Sequence, residues 1–124
     1  MPSHRFSKAQ RVRRKADFQQ VFDNGCRISS RYFTLLLAPA AGPSVRLGIV
    51  ASRKLGDAVH RNRAKRLIRE VFRLSQPLPG GAGVDLVVIP RRELFDATFT
   101  DIAGDFRAAW RRATARLPAR NARS

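Results

Sequence analysis

The stretch Asp57-Ala58-Val59-His60-Arg61-Asn62-Arg63-Ala64-Lys65-Arg66-Leu67-Ile68-Arg69-Glu70-Val71-Phe72-Arg73 sets the reading of the whole chain. Wound as a helix at about 100° per residue, it separates into two faces. Ala64, Leu67, Ile68, Val71, Phe72 and Leu74 recur at the i, i+3, i+4, i+7 spacing of a core-facing stripe. Arg61, Asn62, Lys65, Arg66, Arg69 and Arg73 occupy an adjoining arc. Gly56-Asp57 marks the start, because an Asp at the N-cap accepts a hydrogen bond from a free backbone N–H. Arg63 falls about 100° beyond Asn62 and nearer Glu70, so the Arg-Asn-Arg unit cannot present all its side chains in one direction. A charge run is ordinarily a solvated helix exterior. Here Glu70, set against Arg66, is the only acid available for pairing along the helix. Cations crowded on one arc repel each other unless something anionic lies opposite, so the face reads as a polyanion-binding surface.

Short elements flank this helix. Residues 31–39 predict a strand with Phe33, Leu35 and Leu37 on one face and Tyr32, Thr34, Leu36 and Ala38 on the other. Ala40-Ala41-Gly42-Pro43-Ser44 is a turn. Residues 45–52 return as a strand, with Val45, Leu47, Ile49 and Ala51 toward the core and Arg46, Gly48, Val50, Ser52 and, by continuation, Lys54 away from it. Upstream, residues 16–24 predict a short helix ending at Gly25, the residue type expected after a helix C-terminus. Its Phe18, Val21 and Phe22 share one face and, from the residues alone, read as core packing. Downstream, residues 76–83 are a loop by composition, and residues 84–90 are a near-continuous apolar run that predicts a buried strand. A last helix is expected over 96–117, with Phe99, Ile102, Phe106, Ala109, Trp110 and Ala113 as its core stripe. Gly104 inside it costs about 1 kcal/mol relative to Ala. Residues 1–14, with Arg5, Lys8, Arg11, Arg13 and Arg14, read as a flexible basic arm able to lie along phosphates, and residues 118–124 as a disordered basic tail. The expectation is an α+β fold: one small domain over 15–117, three helices packed on a mixed, mostly antiparallel sheet of about four strands.

A length of 124 residues suits one domain with a modest core. The charge is unusual: 25 Lys plus Arg against 9 Asp plus Glu leaves a net +16. That excess favours a phosphate backbone or an anionic membrane, and the preponderance of Arg suits bidentate phosphate contacts. Against a lipid surface, no long amphipathic helix opposes a basic face to an exposed Trp, Phe or Leu face. Cys26 is the only cysteine, so no internal disulfide forms and a reducing compartment fits; it reads as a small half-buried apolar residue. The first residues lead into more basic ones rather than an apolar run, against a secretory signal. No stretch is apolar enough to span a membrane. The expected compartment is the cytoplasm.

A protein nuclease needs an activator for water and charge stabilisers, usually His or metal-bound carboxylates. The two histidines, His4 and His60, lie in the arm and at a helix opening, without partners at metal-ligand spacing. The acids are scattered; Asp101 and Asp105, one turn apart, either pair or simply solvate the last helix. Gly80-Gly81-Ala82-Gly83 precedes a strand rather than a helix, so it is no phosphate loop. The expectation is no catalytic residue and no metal ligand among the side chains.

Arg61-Asn62-Arg63-x-Lys65-Arg66-x-x-Arg69, preceded by Ser52-Arg53-Lys54-Leu55-Gly56-Asp57-Ala58-Val59, closely resembles the signature of the bacterial ribonuclease P protein component. The resemblance extends back to Asp17-Phe18-Gln19-Gln20-Val21-Phe22-x-x-Gly25 and forward to Asp85-Leu86-Val87-Val88-Ile89-Pro90-Arg91, with order and spacing intact. It implies the protein subunit of a ribonucleoprotein endonuclease that matures the 5′ end of tRNA. In that family the RNA subunit, with bound Mg2+, cleaves precursor tRNA, so the catalytic site and its metal lie outside this chain. The partners implied are the catalytic RNA subunit and precursor tRNA, with no membrane and no obligate protein partner. Carried over residue by residue, Arg61, Asn62, Lys65, Arg66 and Arg69 contact the RNA subunit. Arg63 matches the motif too, while the helical wheel equally allows it a structural role on the flank. Phe18, Phe22, Thr34, Leu36 and Lys54 form a cleft for the single-stranded 5′ leader. The family often has an aromatic where Leu36 stands; Tyr32 is placed on the same face. The resemblance also implies a left-handed strand–helix–strand crossover, against the general right-handed rule.

Two other classes compete. A structural RNA-binding protein of ribosomal type fits the composition equally, and the Phe18/Phe22 unit followed by Arg-Asn-Arg argues against it. A DNA-binding regulator would need a helix joined by a tight turn before the basic helix, where two strands are expected.

Overall fold

The computed structural model describes residues 15–40, 42, 45–76, 78 and 83–117; the expected arm and tail, and most of the expected loops at 40–44 and 76–83, lie outside the described residues. The chain runs α1 (Lys15–Asn24), β1 (Cys26–Ser29), β2 (Phe33–Pro39), β3 (Arg46–Ile49), a 3-10 turn (Arg53–Leu55), α2 (Ala58–Leu74), β4 (Val84–Pro90), a second 3-10 turn (Arg92–Asp96) and α3 (Phe99–Arg116). The sheet order is β1-β2-β4-β3. Only the β3·β4 pair is parallel. The expected three helices on a mixed, mostly antiparallel four-stranded sheet are therefore present. β1 itself was not anticipated, because Cys26-Arg27-Ile28-Ser29 buries a single side chain, Ile28, too little for an alternation signal.

Alternation along β2 sorts the core into two layers. Phe33, Leu35 and Leu37, with Leu47, Leu86 and Val88, pack against Ile68, Val71 and Phe72 of α2 and Ile102, Phe106 and Trp110 of α3. On the opposite face Leu36, Ala38 and Val87 lie beneath Val21 of α1. Apart from Asp85, β4 is thus apolar on both faces, which explains its near-continuous hydrophobic run. The Asp57 cap is as read: its side chain accepts from His60 N–H at 3.1 Å.

Several expectations fail for local reasons. The strand begins at Phe33 rather than residue 31, because Asp105 of α3 ties down the preceding turn. Its carboxylate accepts from Ser30 Oγ at 2.7 Å, Tyr32 N–H at 3.0 Å and Arg31 N–H at 3.3 Å. Tyr32 consequently leaves the alternation and is buried in the α2/α3 layer, not beside Leu36. Leu74 and Phe99, at the last and first positions of their helices, are substantially exposed instead of core. α3 starts after Thr98, whose hydroxyl accepts from Asp101 N–H, so residues 92–96 form a separate 3-10 turn. Glu70 pairs with Arg73, three residues on, rather than with Arg66.

Gly25 ends α1 as expected, but not through a left-handed backbone, since its φ is not positive. A Cβ there would stand 2.5 Å from the Val21 carbonyl oxygen and 2.9 Å from that of Leu37. The residue is needed so that the helix end can lie directly against β2. Gly104, by contrast, has nothing within 4 Å of where a Cβ would be. Opposite outcomes follow for one chemical change. Gly104→Ala is expected to stabilise the fold by about 0.5–1 kcal/mol, and Gly25→Ala to destabilise it by about 1–3 kcal/mol through overpacking. Denaturant midpoints of the two variants check this; a neutral Gly25→Ala would show that α1 is not seated as described.

Candidate nucleic-acid interface

The basic face of α2 carries Asn62, Arg63, Arg66 and Arg69 exposed, with Arg61 and Lys65 half-buried. Among the described residues no ion pair holds Lys65, Arg66 or Arg69. The acid nearest them in sequence, Glu70, faces Arg73 in a two-pronged contact, Nε to Oε1 at 3.1 Å and Nη2 to Oε2. Both arginines of the Arg-Asn-Arg unit lean on their own fold. Arg61 Nη1 donates to the Gly56 carbonyl at 3.1 Å. Arg63 turns to the flank, its guanidinium 5.9 Å from the centre of the Phe95 ring, an arrangement that stabilises a cation over a π face. His60 meets the same ring edge-on, centroids 5.3 Å apart. Its Nδ1 is 2.8 Å from Asp57 Oδ1, and that hydrogen bond holds the Asp57 carboxyl below its ordinary range.

The second candidate surface lies where α1 crosses the sheet. Phe22 is 42% exposed, and Phe18 is half-buried against the Val21, Leu36, Ala38 and Val87 layer, beside Val50 and Ile89. Thr34 and Leu36 are buried at 5% and 3% exposure, so they form the floor under this site rather than an open contact surface. Arg91 Nη2 lies 3.5 Å from Thr34 Oγ1, at the long limit of a hydrogen bond. Lys54 is exposed, but on the 3-10 turn after β3 and not by continuation of the strand; its N–H bonds Ser52 Oγ at 3.3 Å. Three residues near the floor were not singled out in the sequence. Ile89 follows from the two-residue alternation of β4, and Arg91 from the position just beyond it. Arg27, exposed and paired across strands with Leu36, was illegible because β1 was.

The chemistry of hydrolysis is thin here. Among the described residues no group of three or more His, Cys, Asp or Glu could hold a metal ion. Asp105 is committed to the turn before β2, so it forms no carboxylate pair with Asp101. Cys26 is half-buried, its Sγ 3.4 Å from the Ala113 carbonyl, and burial pushes its thiol up, away from the reactive thiolate. No helix among the described residues is long and apolar enough to cross a membrane.

The exposure of neighbouring α1 residues gives a direct forecast. Phe22→Ala is expected to change stability by less than about 1 kcal/mol, as for a surface site. Val21→Ala, at a fully buried position, should lose about 1.5–3 kcal/mol. Thermal melting of both variants distinguishes an exposed aromatic from a core one.

Comparison with known proteins gives a consistent picture. The sequence model of the family described as Ribonuclease P matches residues 6–114. A relative named ribonuclease P protein component, from Desulfatibacillum aliphaticivorans, is 42% identical over 92 residues, 74% of this chain and 77% of that protein. The solved RNase P protein of Thermotoga maritima superposes with a TM-score of 0.73 at 35% identity, covering 82% of this chain and 96% of its own. A Staphylococcus aureus RNase P protein mutant, described as having defective mRNA degradation activity, gives 0.77 at 34% identity, covering 86% and 89%.

Proposed function

The chain belongs to the ribonuclease P protein family, whose members are the protein component of a ribonuclease, and we propose that it serves its RNA subunit and the substrate with two different faces. The α2 arc of Arg61, Asn62, Lys65, Arg66 and Arg69, with Arg63 on the flank, takes the catalytic RNA subunit. The cleft beside α1 takes the single-stranded 5′ leader of precursor tRNA. The observation that carries the first assignment is that Lys65, Arg66 and Arg69 have no ion pair among the described residues, while Glu70 meets Arg73. Their charge neutralises phosphate repulsion where two RNAs must approach. In the cleft, exposed Phe22 offers a stacking face to a leader base, Phe18 walls it, and Lys54 supplies a point charge to the backbone. Thr34 and Leu36 act from beneath by supporting that surface.

In this reading the RNA subunit holds the catalytic site and its Mg2+, and precursor tRNA is cut at its 5′ end. The described side chains fit no such ion, and no step is assigned to them beyond binding and orienting RNA. Nothing in the reading requires a membrane or an obligate protein partner, and the cytoplasm is the compartment it implies. The ribosomal-type alternative is not favoured by the family assignment. A DNA-recognition helix is disfavoured by what precedes α2, a strand and a 3-10 turn rather than a helix.

Two experiments test the proposal. Rigorously RNA-free protein is expected not to cleave precursor tRNA, whereas adding the RNA subunit and Mg2+ at low salt should restore 5′ maturation. The same RNA-free sample incubated with mRNA tests whether an activity of the kind named for the Staphylococcus aureus protein resides in this chain; cleavage there would refute an RNA-only catalytic site. The second experiment is the salt dependence of RNA-subunit affinity. The logarithmic slope should fall by about 0.7–0.9 for each of Arg66→Ala and Arg69→Ala, one phosphate contact apiece. Unchanged slopes in both would place the RNA on another surface.

A further inference from the structure

Beneath α1, an ion-pair relay ties that helix to the β3 edge of the sheet. Arg46 on β3 donates Nε and Nη2 to Asp85 of β4 at 2.7 Å each. Its Nη1 stands 3.5 Å from Asp17 Oδ2, in the first turn of α1. Asp85 is buried at 3% exposure, so it requires the bidentate fork as its counter-charge. The Asp17 branch is different. Its partners are each 30% exposed, and Arg46 already satisfies Asp85 without it. A pair of that kind adds little to stability, and an acid next to a phosphate-binding cleft works against RNA attraction.

What the branch does is geometric. Phe18 is the next residue, and Phe22 lies one turn further on the same side. At its other end α1 closes on its own bond from Gly25 N–H to the Val21 carbonyl at 2.8 Å, and the absent Cβ of Gly25 lets this end lie against Leu37 of β2. The helix is thus in contact at both ends while its Val21 packs over Leu36, Ala38 and Val87. We propose that Asp17 is a positioning residue for the leader cleft: through Arg46 it sets the tilt of α1, and with it the placement of Phe18 and Phe22 against single-stranded RNA. This rests on the assignment of that cleft to the leader.

The test uses full-length Asp17→Ala, Asp17→Asn and Asp17→Glu, each assembled with the RNA subunit. The readout is the ratio of affinities for precursor tRNA and mature tRNA, alongside RNA-subunit affinity and melting temperature. Asp17→Ala and Asp17→Asn are expected to lose about three- to tenfold in the ratio, a fraction of one stacked base, with assembly and melting near wild type. Asp17→Glu should retain the preference. A role through charge alone predicts the opposite sign, since removing an acid strengthens leader binding; a rise in the ratio therefore overturns the proposal. So does lowered melting with an unchanged ratio, which marks a purely structural pair. Phe22→Ala, run in parallel, separates the two layers of argument. If it too leaves the ratio intact, the leader cleft itself is misplaced and the Asp17 role falls with it. If it lowers the ratio while Asp17→Ala does not, only the positioning role is lost.

Discussion

β4 is the constraint from which the rest of the molecule follows. It is hydrogen-bonded to β2 on one side and β3 on the other, and its side chains are buried on both faces. Two covering layers are therefore obligatory. α2 and α3 together cover one face, but on the other the only described helix is α1, with ten residues. At 1.5 Å per residue that is about 15 Å of rod, laid over seven-residue strands about 23 Å long. One short helix cannot close such a face. Among the described residues, the part it leaves open is where Val50 and Ile89 remain half-buried and Phe22 stands out, and the proposed leader site is the geometric remainder of an undersized cover.

Charge is distributed by the same economy of partners. Of the acids, Asp85 and Asp17 are engaged by Arg46, Glu70 by Arg73, Asp57 by the helix start and His60, and Asp105 by the turn before β2. Each neutralises or caps something internal. Among the described residues the arc of Lys65, Arg66 and Arg69 has no ion pair, and Phe95 draws Arg63 aside from it. Exposed cations stand elsewhere too, Arg27 on β1 and Arg107 and Arg111 on α3 among them, but the α2 arc is where they crowd along one helix.

Periodic and capped features were legible in the sequence. The α2 stripe with its Asp57 cap, the two faces of β2, and the doubly apolar β4 all came from spacing alone, because each spans enough residues for a period to repeat. Elements decided by tertiary partners were not. β1 is too short to show alternation and exists because β2 offers it an edge. Tyr32 left its expected face because Asp105, 73 residues downstream, captures its amide. That Leu36 and Thr34 are buried was not legible, because a strand pattern shows which face a side chain takes, not what lies across it. The residues proposed for the leader came from family resemblance, and the structure divides them into exposed Phe22 and Lys54, half-buried Phe18, and buried Thr34 and Leu36.

The strand order carries a consequence for the sequence of assembly. β2 and β3 never touch; β4 separates them and arrives only after α2. A chain emerging from the ribosome has therefore completed its most basic helix while the slot for β4 is still empty. Two strand edges and the apolar sides of α1 and α2 then wait for the same late segment. Pairings of this range are slow to close and exposed to mispairing. Everything C-terminal to α2 acts as a keystone, and a chain cut before β4 has a β1-β2 pair and a lone β3 with no way to join them.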